Sequence, residues 1–176
     1  SGVSTAALRV PISLRWKHTT PDAESIVVAM PAVGAELVYA PVGSTMYAIS
    51  RRTGELVWSQ EVGDVIYSSP ALRGDTLYFG ARDNNLWALG AADGEVKWRF
   101  PTGGPVDCSP VIVGDVIYFG SDDNRLTALD LNTQQPLWQF ETRGDIKASP
   151  LVYRDVIVVG SQDRHIYCLN YQGRPM

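Results

Sequence analysis

The sequence predicts an all-β chain, a β-propeller of four-stranded antiparallel blades with four blades per chain. A unit of about forty residues recurs, and each copy holds four short apolar runs divided by turn residues. No stretch carries the 3.6-residue apolar period of an amphipathic helix, and a period near forty with four strands per copy marks one blade per repeat.

The copy at residues 68–107 sets the pattern. It reads Ser69-Ser-Pro-Ala-Leu, Thr76-Leu-Tyr-Phe-Gly80 and Leu86-Trp-Ala-Leu89, then the alternating Glu95-Val-Lys-Trp-Arg-Phe100. Runs this short, rich in β-branched and aromatic residues and bounded by Arg-Gly-Asp, Asp-Asn-Asn and Ala-Asp-Gly, are strands joined by hairpins. The copy at 108–147 repeats it with Val116-Ile-Tyr-Phe-Gly120, Leu126-Thr-Ala-Leu129 and Leu137-Trp-Gln-Phe140. Residues 148–176 repeat the first three runs, ending in Ile166-Tyr-Cys-Leu169, with no fourth-run Trp after them. The earlier copy, 28–67, keeps Leu37-Val-Tyr-Ala40, Met46-Tyr-Ala-Ile49 and Leu56-Val-Trp58, with its Pro31 one residue out of register with Pro70.

Ahead of the repeats, residues 1–11 are weakly patterned and read as a loose arm; the propeller domain is expected over 12–176. Within it, residues 14–18, Leu-Arg-Trp-Lys-His, alternate like a fourth strand, with Trp16 forty-two residues before Trp58. A bare sheet edge is a liability, so this strand is expected to complete the last blade. Two chains of four blades would then make an eight-bladed homodimeric ring. The alternatives are a four-bladed ring closed on itself and a longer chain supplying the remaining blades.

Composition narrows the function classes. The 176 residues are 45% apolar with net charge −4, which disfavours a nucleic-acid surface, and no apolar run reaches the length that spans a membrane. Cys168 takes a position filled elsewhere by alanine and reads as a small buried third-strand residue, while Cys108 stands before a first strand and is the thiol with an accessible setting. Their different places argue against a disulfide.

The turns fall on two faces. One collects the second-to-third-strand turns at 82–85, 122–125 and 162–165 with the inter-blade links at 62–67, 101–107 and 142–147; a partner is expected there, at Arg82, Asp83, Asp123, Arg125, Arg164 and His165. Asp83, Asp123 and Asp163 recur at forty-residue spacing, which could be a carboxylate ring for a cation but reads better as turn residues bonding their own backbone. The two Arg-Gly-Asp tripeptides, at 73–75 and 143–145, read as a hairpin turn and a link; His18 and His165 read as surface residues without metal spacing.

The segments Ala48-Ile-Ser-Arg-Arg-Thr-Gly54, Ala88-Leu-Gly-Ala-Ala-Asp-Gly94 and Ala128-Leu-Asp-Leu-Asn-Thr-Gln134 each precede a tryptophan, Trp58, Trp98 or Trp138. They resemble the tryptophan-docking motif of the pyrroloquinoline-quinone-like repeat family, over about 165 residues, with Trp16 as a fourth docking residue. Only Asp130 keeps the motif aspartate; Ser50, Gly90 and Asn170 stand at the equivalent places, which puts that turn's cap in doubt in three blades. The resemblance implies an extracytoplasmic location and one of three functions: a non-catalytic scaffold binding a protein partner, a ligand-binding sensor, or a quinoprotein dehydrogenase. Family enzymes pair the quinone with a disulfide of adjacent cysteines and a Ca²⁺ ion. This chain has no adjacent cysteines and no long inter-strand insertions, so no cofactor, metal or catalytic residue is expected, and the scaffold leads.

Overall fold

Runs of three to six residues that end in Gly, Asp or Asn pair most readily with their neighbours in sequence, and the computed structural model shows this pairing throughout. It describes residues 13–21 and 29–176. The arm expected over 1–11 lies outside these. The first blade holds β1 (Ala32–Val33), β2 (Leu37–Val42), β3 (Thr45–Ser50) and β4 (Leu56–Glu61); the second holds β5 (Ala71–Arg73), β6 (Thr76–Ala81), β7 (Asn85–Gly90) and β8 (Val96–Pro101). The third holds β9 (Val111–Val113), β10 (Val116–Gly120), β11 (Arg125–Asp130) and β12 (Pro136–Glu141), and the fourth β13 (Leu151–Tyr153), β14 (Val156–Gly160) and β15 (Ile166–Asn170). Each blade is an antiparallel meander in chain order. In the three complete blades the last pairing slips one residue after Ala48, Ala88 or Ala128, a bulge kept at one repeat position.

Alternation along each strand sends residues to two blade faces, and both become buried because neighbouring blades stack. Tyr39, Met46, Ala48 and Trp58 of the first blade pack on Leu77, Phe79, Trp87 and Leu89 of the second. The same contact recurs between the second and third blades through Tyr78, Leu86 and Ala88 against Ile117, Phe119 and Leu129. Between the third and fourth it runs through Tyr118, Leu126 and Ala128 against Ile157, Val159 and Leu169. A hydroxyl ladder threads the inner strands: the Ser69 N–H donates to Ser109 Oγ and the Ser109 N–H to Ser149 Oγ, both at 2.9 Å. Gly120 is required by close approach, since a β-carbon there would stand 2.2 Å from Ile146.

The tryptophans lock successive blades. The Trp58 indole donates to the Ala91 carbonyl at 3.1 Å and that of Trp138 to Tyr171 at 2.8 Å. Each ring lies on the glycine ending the docking turn, Gly94 or Gly173, both at positive φ. In the third blade Gln134 takes this place at φ 59°, Trp98 above it is half-buried, and its indole N–H has no hydrogen-bond partner among the described residues. The turn cap survives the loss of the motif aspartate better than the sequence suggested. Asp130 accepts from the Asn132 and Thr133 N–H groups, Asn170 accepts from Gln172 and Arg174, and Ser50 accepts from Thr53. Only Gly90 cannot cap, and Asp93 fills the vacant space and accepts from the Glu95 N–H.

The ends differ from the middle. Residues 13–20 form no strand, and the expected pairing of 14–18 with the last blade is not made within one chain. Trp16 instead lies on Gly54 of the first blade, donating to the Arg51 carbonyl at 2.9 Å. The inner strands neighbour one another in the order β1, β5, β9, β13, and β13 does not meet β1. The four blades form an open arc, not a ring closed on itself.

Candidate functional site

The links and second-to-third-strand turns do share a face. The Arg82 N–H donates to the Val65 carbonyl, the Asp122 N–H to Pro105 and the Gln162 N–H to Asp145, so each turn is pinned to the link that enters its blade.

The three recurring aspartates are taken up by bonds around their turns, and two of them reach a link. Asp123 accepts from the Gly103 and Arg125 N–H groups, both at 3.0 Å, and Asp163 from Arg143 and His165, also at 3.0 Å, as well as the Tyr167 hydroxyl at 2.7 Å. Asp83 accepts from the Asn85 N–H and the Trp87 indole. Desolvation disfavours the Asp163 charge, yet the bonds from Tyr167, Arg143, His165 and Ser161 outweigh it and hold its carboxyl well below the usual range. No group of three His, Cys, Asp or Glu among the described residues is placed to hold a metal ion. The bonds of Asp83, Asp123 and Asp163 are those of turn residues satisfying nearby backbone.

What the face presents is therefore mostly cationic and aromatic. Arg82, Arg125, Arg164 and His165 are exposed. Arg82 stacks on Tyr67, its guanidinium carbon 5.5 Å from the ring centroid, and its Nε stands 3.5 Å from Asp107. Lys147 reaches Asp107 at 3.0 Å and Asp122 at 2.5 Å. Asp122 first, then Asp107, hold the ammonium charged and raise its pKa, against partial burial that works the other way. Both carboxylates are sunk, with side chains 13% and 12% exposed, and Asp122 Oδ1 has no hydrogen-bond partner among the described residues. Sequence reading missed this network. Its signal was present, because Tyr67, Asp107 and Lys147 occupy one repeat position with three different chemistries.

Other readings shift. His18 is half-buried, donating to the Gly54 carbonyl at 3.0 Å, rather than a surface residue. The cysteines exchange roles: Cys108 is buried, clasped by the Gly120 N–H at 3.0 Å and the Gly120 carbonyl at 3.2 Å, whereas Cys168 is exposed. Burial pushes the Cys108 thiol up to about 12, with Asp107 and Asp122 adding to the effect. Cys168 is exposed because no blade covers its face. Arg73 and Asp75 of the first Arg-Gly-Asp are tied to Asp115 and Lys97, and the tripeptide is a turn.

Comparison with known proteins agrees with this architecture. The model of the family described as outer membrane protein assembly factor BamB matches residues 13–107 and 100–174. No curated protein sequence matches. Among solved structures, BamB from Moraxella catarrhalis superposes with TM-score 0.76 at 19% identity, over 86% of this chain and 51% of that one. The computationally designed Ika4 protein superposes at 0.75 and 14% identity, over 86% of this chain and 95% of its own. A quinohemoprotein alcohol dehydrogenase from Comamonas testosteroni follows at 0.74 and 18% identity, over 85% of this chain and 34% of its own. This chain thus spans about half the length of that BamB chain. With repeats, docking turns and family model in agreement, the chain belongs to the outer membrane protein assembly factor BamB family of pyrroloquinoline-quinone-like repeat β-propellers.

Proposed function

We propose that the chain is a non-catalytic, extracytoplasmic scaffold that holds a protein partner of an outer-membrane assembly system on the face carrying Arg82, Asp83, Asp123, Arg125, Arg164 and His165. The observation that carries this is the division of labour on that face: aspartates folded into the turns, with Arg82, Arg125, Arg164, His165 and Tyr67 left to solvent. Arginine and tyrosine dominate protein-binding hot spots, and a platform pinned by backbone bonds loses little entropy on binding. Asp83 and Asp123 act here by positioning the turns. The family's name supports the partner class, and the short turns leave no walls for a cofactor.

The test is capture from a bacterial envelope extract by the chain and by an Arg82→Glu/Arg125→Glu/Arg164→Glu variant, with Lys97→Glu on the opposite face as control. The proposal expects one protein retained by the parent and the control and lost by the triple variant. Equal capture by all three, or quinone absorbance in the purified chain, would overturn it.

A further inference from the structure

The three blade-to-blade seams are built on one plan, and the middle one lacks its lock. Apolar contacts recur at all three. What separates the seams is one carbonyl of the docking turn, which belongs to Ala91 at the first, Leu131 at the second and Tyr171 at the third. The Ala91 carbonyl accepts two side-chain bonds, from the Trp58 indole and the Tyr39 hydroxyl, both at 3.1 Å. The Tyr171 carbonyl accepts one, from the Trp138 indole at 2.8 Å. Among the described residues the Leu131 carbonyl accepts none from a side chain. Tyr78 and Trp98 stand at the matching repeat positions with ring centroids 5.6 Å apart, but neither donates to it.

The cause is one residue. At the first and third seams the indole lies on a glycine, and a β-carbon there would stand 2.6 Å from the ring, at Gly94 as at Gly173. The second seam has Gln134 at this place, left-handed at φ 59° and closing the same turn, its N–H donating to the Asp130 carbonyl at 2.8 Å as that of Gly94 does to Gly90. Its β-carbon fills the space that a docked indole takes elsewhere, so Trp98 is held off the turn. The other polar contacts across this seam do not replace the lock. The ion pair of Arg73 with Asp115 is exposed, and such pairs contribute little. The bond from the Ser69 N–H to Ser109 Oγ is matched at the next seam by that from Ser109 to Ser149.

We propose that the seam between the second and third blades is where the arc opens: two pairs of blades part there, each blade keeping its own sheet. Stability in a repeat protein is close to a sum of repeat and seam contributions, so the chain parts first at its weakest seam. Parting separates Arg82, on the second blade, from Asp107, on the link into the third, and the two halves of the turn face then move as separate bodies. The inference concerns the seam and stands whatever occupies that face. The fold carries its own gauge of seam opening, because each link is tied back to the blade it leaves by one backbone bond. The Ile66 N–H donates to the Gly43 carbonyl at 2.9 Å, Val106 to Ala81 at 3.1 Å and Ile146 to Ser121 at 3.1 Å. All three side chains are buried, at 1%, 0% and 0% exposure, so the three amides differ in the seam they report and not in their surroundings.

The experiment follows hydrogen exchange of the full 176-residue chain by NMR, each amide's rate divided by its unfolded-chain value. A net hydrogen bond is worth about fivefold in an equilibrium constant, so Val106 is expected to exchange about fivefold faster than Ile146 and about 25-fold faster than Ile66. Gln134→Gly, which reopens the seat for Trp98, is expected to slow Val106 about fivefold and to leave Ile66 and Ile146 unchanged. Arg154→Gly changes another left-handed residue, at φ 54°, outside the docking turns, and is expected to leave all three rates as they are. Tyr39→Phe removes one bond from the first seam and is expected to speed Ile66 about fivefold. A Val106 amide that is not the fastest of the three, a Val106 rate indifferent to Gln134→Gly, an equal slowing by Arg154→Gly, or an Ile66 rate unmoved by Tyr39→Phe would each overturn the proposal.

Discussion

Replacing Gly94 by alanine tests whether the tryptophan seat stabilises the blade contact. Gly94 has φ 75°, and a β-carbon there would lie 2.6 Å from the Trp58 ring. Gly114 offers a built-in control at φ 60° with nothing within 4 Å of its β-carbon position. The left-handed backbone alone costs an L-residue about 1–2 kcal/mol, which Gly114→Ala should show. At Gly94 the indole must also move, and overpacking of this kind adds about 1–3 kcal/mol. Displacement stretches the 3.1 Å bond from Trp58 to Ala91 as well, a net of about 1 kcal/mol. The expected losses are therefore about 3–6 kcal/mol for Gly94→Ala against about 1–2 for Gly114→Ala. Urea unfolding followed by tryptophan fluorescence and far-ultraviolet circular dichroism measures both, the two probes together exposing any blade that unfolds separately. Equal losses in the two variants would refute the reasoning, because the seat would then contribute nothing beyond backbone conformation.

Two further outcomes follow from ionisable groups. Cys108, raised from 9.0 to about 12, should resist alkylation at pH 8 until denaturant unfolds the chain. Because its folded pKa lies above the unfolded one, the stability it contributes is complete below pH 9 and falls as pH rises toward 12; a Cys108→Ala variant should lose this alkaline decline in melting temperature, and an unchanged decline would exclude Cys108 as its source. Asp163 has the opposite sign. Its depressed pKa gives stability present above about pH 3.9, the unfolded carboxylate value, and lost as pH falls below it. Asp163→Asn should flatten the acid limb of the melting-temperature profile, and a parallel, merely displaced limb would count against it.

The blades were legible because forty-residue self-similarity states the same strand pattern several times, so an error in one copy is corrected by the others. Residue-level environment was less legible, and Cys168 shows why. Its alanine counterparts are buried by the following blade, so repeat position implied burial, but burial is a property of the neighbour, and among the described residues no blade follows the last one. Cys108 failed in the opposite direction: a link position suggested access, while the close pass of Gly120 under the next link encloses the thiol. His18 was misplaced for a similar reason, since only the docking of Trp16 on Gly54 brings it against that turn.

In a repeat protein, agreement between copies reports packing, and specificity has to reside where copies disagree. Asp83, Asp123 and Asp163 agree, and each is spent on bonds within its own turn, Asp123 and Asp163 also tying that turn to a link. The position shared by Tyr67, Asp107 and Lys147 disagrees in every copy, although its backbone path is the same. Had packing dictated that position, one side chain would serve all three. Instead an aromatic ring, an anion and a cation stand side by side along one face, joined through Arg82 and Asp122 into a single polar run. The run orders Arg82 and Lys147, whose side chains remain 40% and 38% exposed, over carboxylates that solvent barely reaches. Such buried counter-charges fix the direction of the exposed cations without neutralising the surface they form, and long side chains held this way lose less entropy on contact. The copies that differ thus supply an asymmetric, pre-oriented surface on a nearly symmetric frame.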